Sequence, residues 1–239
     1  MNNTKKGSPR REFLGNIAAG AAAIGLLSIP SSVKAVPSVF SQAPVDDVEA
    51  WFKQIKGKHR MVFDVTQPHE VFPFAWPRVF LMTNAVTGTP ENDCGVVVVL
   101  RHDAIAYAFE DRLWAKYNFS EVFKAKEHGK VFQAADAANA TSVRNPFWKP
   151  KKGDFKVPGI GEVAIGINDL QASGVKFCVC NAAITVYSAA LAEGMKMKHE
   201  EVMKDWLAGL LPGIQVVPSG VWAVGRAQEN GFGYCYAGG

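Results

Sequence analysis

Hydrophobic positions along the chain follow two rhythms. Gly95 to Leu100 reads Gly-Val-Val-Val-Val-Leu, an apolar run of the kind that fills a strand covered on both faces. Met61, Phe63 and Val65 alternate with Val62 and Asp64, so residues 60–66 read as a strand that stops before Pro68, which has no N–H for pairing. Residues 175–180, 214–217 and 232–236 are three further short β-prone runs. Between these runs the period lengthens towards 3.6. Ile105, Phe109, Leu113, Trp114 and Tyr117 form one apolar stripe behind Asp103, a natural helix cap. Val202, Trp206, Leu207 and Leu210 form another over 199–211, and 183–192 continues the cysteine-bearing run as a helix. Ser219 is placed to cap a helix over 221–229, Asn168 a short helix ending at Gly174, and Pro77 to open a helix over 76–86. A short helix is also expected between Val48 and Ile55. Strands alternating with helices predict a three-layer α/β/α domain built on a mostly parallel five-stranded sheet.

Two stretches break the rhythm. At the amino end, Lys5 and Lys6 precede Arg10-Arg11-Glu12-Phe13-Leu14, an uncharged Ala/Gly-rich stretch to Ile29, and Val33-Lys34-Ala35. This is the pattern of a twin-arginine export signal over residues 1–35, too weakly apolar to span a membrane. A tether over 36–57 and an α/β domain over 58–239 follow from it, with a mature chain that has no membrane span and resides in the periplasm. The second stretch, 119–165, carries Pro146, Pro150, Pro158 and several glycines around Phe147-Trp148-Lys149. It reads as an insertion that covers an active edge, builds a subunit interface, or is simply solvated.

Removing the leader changes the charge argument. The whole chain has 26 Lys and Arg against 22 Asp and Glu. Five of those basic residues and one acidic residue lie in 1–35, so the remainder is balanced. Nothing in that balance favours nucleic acid as a partner. No phosphate-binding glycine loop or Ser-His-Asp order stands out, and no cofactor is expected.

The chemistry concentrates in Val175-Lys176-Phe177-Cys178-Val179-Cys180-Asn181. Two residues apart on one strand, Cys178 and Cys180 point to the same face. Cys178 falls within the strand and Cys180 at its carboxyl end, where open parallel sheets bind ligands and where a following helix stabilises a thiolate. Cys180 is therefore the candidate nucleophile. Two core cysteines, or a Cys-x-Cys soft-metal or redox site, are the competing readings of the same pair. His59, His69, His102, His128 and His199 have no ligand spacing. His102, at the carboxyl end of the 95–100 strand, is a candidate base or hydrogen-bond donor, with a capping or packing histidine in a turn as the competing reading.

The order of motifs in the carboxyl-terminal third resembles the DsrE/DsrF-like family. The Gly174-Val175-Lys176-Phe177-Cys178-Val179-Cys180 strand is followed by a two-helix stretch, then Val216-Val217-Pro218-Ser219-Gly220, a helix, and Gly231-Phe232-Gly233-Tyr234. The Gly95 to His102 strand fits as well, so the resemblance covers roughly 58–118 and 166–236. It implies a sulfur-relay protein in which Cys180 carries sulfane sulfur as a persulfide. It also implies a homo-oligomer, trimer or hexamer, that meets a sulfur donor or acceptor, either a protein or a small sulfur compound. Members that lack the cysteine serve as structural partners, so a non-catalytic binding module is the alternative. The export leader, the 119–165 insertion and Cys178 depart from the family pattern, and well-known relay members are cytoplasmic.

Overall fold

The computed structural model describes residues 45–125, 132 and 143–238. The leader, the first part of the expected tether and the middle of the 119–165 stretch lie outside the described residues. The remainder of the tether carries a helix, α1 (Val45–Gln54). Its Val48 and Phe52, with Ile55 just beyond, recur at helical spacing and are buried, so this part of 36–57 belongs to the folded core.

Five strands form one sheet: β1 (His59–Val65), β2 (Cys94–Leu100), and, numbered in chain order after a small hairpin, β5 (Lys176–Cys180), β6 (Ile214–Val217) and β7 (Gly233–Tyr236). The hairpin strands are β3 (Lys156–Val157) and β4 (Gly161–Glu162). The large sheet runs β6-β5-β2-β1-β7, and every pairing in it is parallel. The three-layer α/β/α class is as expected. β2 is buried at every residue, as its valine run requires.

The layers follow from the connections. Helix α2 (Phe72–Val86) precedes β2, and α5 (Ile167–Ala172) precedes β5; α6 (Asn181–Met195) and α7 (His199–Ala208) lie between β5 and β6. All four pack on one face, against Phe63, Val65, Val96, Val98, Leu100, Phe177 and Val179. The return from β6 at one edge to β7 at the other is made by α8 (Gly220–Glu229), which lies with α1 on the opposite face, against Val62, Val97, Val99 and Cys178. Reversing direction and face together keeps both crossovers right-handed. Adjacent strands β5 and β6 therefore send their helices to opposite faces, the arrangement at whose carboxyl ends open parallel sheets bind ligands.

Several local expectations are corrected. The stripe behind Asp103 is not one helix. A 3₁₀ segment spans His102–Ala108, and α3 (Asp111–Tyr117) starts afresh. Between them Phe109 is extended and bridges Leu210, with Leu211 N–H donating to Ala108 O and Glu110 N–H to Gly209 O. Tertiary pairing thus overrides helical periodicity. Pro77 lies inside α2, whose first turn is occupied by Pro73 instead. Asn168 lies within the first turn of α5 rather than capping it; its side chain accepts from Lys149 N–H at 2.8 Å.

The described part of 119–165 is not an appended loop. After α4 (Phe119–Val122), residues 143–165 return across the α2 face, and Phe147 is fully buried there. Its ring stacks on Phe74 at 4.1 Å and on Phe155 at 5.0 Å. Asn145, also fully buried, donates to the carbonyls of Tyr107 and Phe109 and accepts from Phe147 N–H. Among the described residues no helix is long and apolar enough to cross a membrane.

Candidate functional site

Cys180 ends β5 and is the N-cap of α6. Its Sγ accepts the Ala183 N–H at 3.3 Å, the geometry of an N-cap in which sulfur replaces the usual oxygen. The N–H groups of Ala182 and of Gly220, at the start of α8, also favour negative charge on this sulfur, as does the guanidinium of Arg101. Two helices thus direct their amino ends at one atom, and neither has an acidic residue in its first turn. The sulfur is nonetheless shielded: Cys180 is only 6 % exposed. Burial raises its thiol pKa, and the three backbone donors and Arg101 recover part of that rise. At rest the group is a thiol whose surroundings are arranged for an anion.

Arg101 follows from the sheet register. Val99 pairs with Cys178 and Leu100 with Val179, so the next residue of β2's line, Arg101, comes level with Cys180. The parallel register also places Asp64 beside Val99 and Tyr236. Asp64, 2 % exposed, grips the guanidinium with both oxygens: Arg101 Nε donates to Oδ1 at 2.6 Å and Nη2 to Oδ2 at 2.9 Å. Such bidentate pairs fix orientation as well as charge. Tyr234 on β7 donates its hydroxyl to Asp64 Oδ2 at 2.9 Å. Burial and this bond push its own pKa up to about 12, so it remains a donor. One residue past β1, Thr66 Oγ1 meets the Tyr236 hydroxyl at 3.0 Å. A polar row therefore crosses the carboxyl edge of the sheet on the α8 face.

His102 belongs to a different group. Its backbone is left-handed (φ 51°), a conformation in which His is among the better tolerated residues. Its half-exposed ring contacts Asp103 Oδ1 at 3.3 Å and the Tyr187 hydroxyl at 3.4 Å. Tyr187 in turn donates to Asp103. Burial would raise the Asp103 carboxyl, but the bonds from His102 and Tyr187 outweigh it and hold the pKa down. The basic group acting on Cys180 is thus Arg101, one residue before the histidine that the sequence singled out.

Cys178 lies wholly inside the α8-side core, and burial pushes its thiol far up, with the neighbouring Cys180 adding to the effect. Cys94 is buried and Cys235 half-buried; all four cysteines are free. Among the described residues no three His, Cys, Asp or Glu side chains gather in a way that could hold a metal. Cavities of about 530 Å³ beside Cys94 and Lys176, and about 320 Å³ between Trp76 and Ile160, do not include Cys180. Asp64, Arg101, Gly220 and Tyr234 were not marked as site residues by the sequence. The one available signal was a carboxylate, Asp64, standing in the apolar alternation of a strand. No protein-family model matches the chain, and no curated protein matches it.

Proposed function

We propose that this protein is a periplasmic sulfur carrier or sulfurtransferase of the DsrE-like kind, in which Cys180 holds sulfane sulfur as a persulfide. The observation that carries this reading is the place of Cys180 at the carboxyl end of β5 as the N-cap of α6, where its Sγ accepts the Ala183 N–H at 3.3 Å. Such a position stabilises negative charge on sulfur, whether thiolate or persulfide. Transfer from a persulfide donor is balanced as Cys180–SH plus R–S–SH giving Cys180–S–SH plus R–SH. The S–S bond of the donor breaks, one forms at Cys180, and the donor leaves as its thiol. The twin-arginine pattern supports the periplasm, and a homo-oligomeric trimer or hexamer that meets a donor or acceptor, protein or small sulfur compound, goes with this reading.

A second reading, a non-catalytic binding module, is favoured by one fact: the Cys180 sulfur is nearly buried and its thiol pKa is raised. One experiment separates the two. The protein is incubated with polysulfide, and peptides are analysed by mass spectrometry for wild type, Cys178→Ser and Cys180→Ser. A gain of one sulfur is expected in wild type and Cys178→Ser and absent in Cys180→Ser. Equal loading of all three, or of none, replaces the carrier with the binding module.

A further inference from the structure

Resting on the reading of Cys180 as a sulfur-bearing residue, we infer that Arg101 is the charge that stabilises its anionic sulfur, and that Asp64, held by Tyr234, is the positioning residue that aims Arg101 at it. Three features of the geometry support this. The sheet register brings Arg101 level with Cys180. Asp64 takes Nε and Nη2 of the guanidinium, leaving Nη1 on the far side of the fork, which has five N–H donors in all. Gly220, the first residue of α8, lies against the Arg101 stem, with its absent Cβ only 2.5 Å from Arg101 Cβ. One side chain thus joins the buried carboxylate to the start of α8, level with the end of the thiol's strand.

This arrangement assigns separate roles to the pair. An Arg–carboxylate bridge serving stability alone has no reason to lie beside a thiol, and replacing such pairs by neutral groups is often harmless. Here the carboxylate is fully engaged, by two bonds from Arg101 and one from Tyr234. The guanidinium keeps about a quarter of its side chain accessible. Among the described residues, Arg101, which follows β2, and Cys178 from its own strand act on Cys180, and Arg101 is itself coupled to Asp64 from β1 and Tyr234 from β7. The first turns of α6 and α8 contribute N–H groups and no acid. Arg101 is the cation of that group.

The test is the pH profile of iodoacetamide alkylation at Cys180, followed on its peptide in the full chain. Arg101→Gln is expected to move the profile to higher pH and slow alkylation at pH 7 by about tenfold, the equivalent of one unit in pKa. Arg101→Lys should recover part of the rate. Because Arg101→Gln strands a buried carboxylate, the double variant Asp64→Asn/Arg101→Gln, which removes both charges, is measured beside it and should show the same slow profile. An unchanged profile in the double variant overturns the role of Arg101. Asp64→Asn alone separates positioning from simple charge: if Asp64 aims the guanidinium, alkylation slows, and if Asp64 only opposes its charge, alkylation speeds up and the positioning role falls. Alkylation needs no sulfur donor, so these outcomes are independent of polysulfide loading. A protein whose profile shifts but which takes up no sulfur would refute the carrier and leave the Arg101 assignment standing.

Discussion

Gly220 and Arg101 are in contact where no side chain fits between them: a Cβ on Gly220 would lie 2.5 Å from Arg101 Cβ and 2.8 Å from its Cδ. The backbone of α8 therefore approaches β2 closely enough for its first N–H to act on Cys180. Gly220→Ala should force either the Arg101 stem or the start of α8 to move, at about 1–3 kcal/mol as for other overpacked sites. Urea unfolding should show that loss, and alkylation of Cys180 should slow with it. Wild-type stability and rate in this variant would mean that the contact is looser than described.

Phe147→Ala tests whether the segment after residue 142 is core. The ring is fully buried between Phe74 and Phe155, and its removal should cost about 3–5 kcal/mol. A loss below about 1 kcal/mol in urea titration, typical of surface sites, would return this segment to the status of an appended loop.

Asp205 ties α7 to α3. Lys116 Nζ and the Tyr117 hydroxyl donate to its Oδ2 at 2.6 and 2.7 Å, and Arg112 donates to Oδ1. Burial pushes the Asp205 carboxyl up, but these three bonds outweigh it and hold the pKa at about 2. A carboxylate depressed in the folded state stabilises the fold above its unfolded pKa, near 4, and loses that contribution as pH falls towards 2. Asp205→Asn should therefore be less stable than wild type at pH 7, and the gap should close between about pH 4 and pH 2. A gap that stays constant down to pH 2 would show that the carboxylate's charge contributes nothing.

The leader is tested by export. Replacing Arg10-Arg11 with Lys-Lys should leave unprocessed chain in the cytoplasm, whereas wild type should be recovered from the periplasm with its amino terminus at or near Val36. Equal export of both chains in cell fractionation would remove the twin-arginine reading and, with it, the proposed location.

What the sequence reveals and what it hides divide along chain separation. The strands are legible because each is a short apolar run, and Cys180 is legible because its place depends only on where β5 ends and α6 begins. The break at Phe109 is not, because its cause is Leu210, about a hundred residues away. Asp64 and Arg101 are 37 residues apart, and Tyr234 is 170 from Asp64. No local period encodes such pairs, so the sequence points to His102 and gives no sign of Arg101 beside it. Phe147 was hidden for a related reason: a Pro- and Gly-rich context reads as loop, yet loop backbone can place an aromatic ring into a core once Asn145 satisfies the carbonyls around it.

The crossover through α8 also sets an order of events during synthesis. β1 is an interior strand of the sheet, yet its outer neighbour β7 is the last of the described strands to leave the ribosome. Until it does, Asp64 lacks the Tyr234 hydroxyl and the edge of β1 is open. Contacts of such long sequence separation form late. A nascent chain at residue 200 already contains Cys180, Arg101 and Asp64 but neither Gly220 nor Tyr234. The thiol thus acquires its full surroundings only after residues 220–234 have been added.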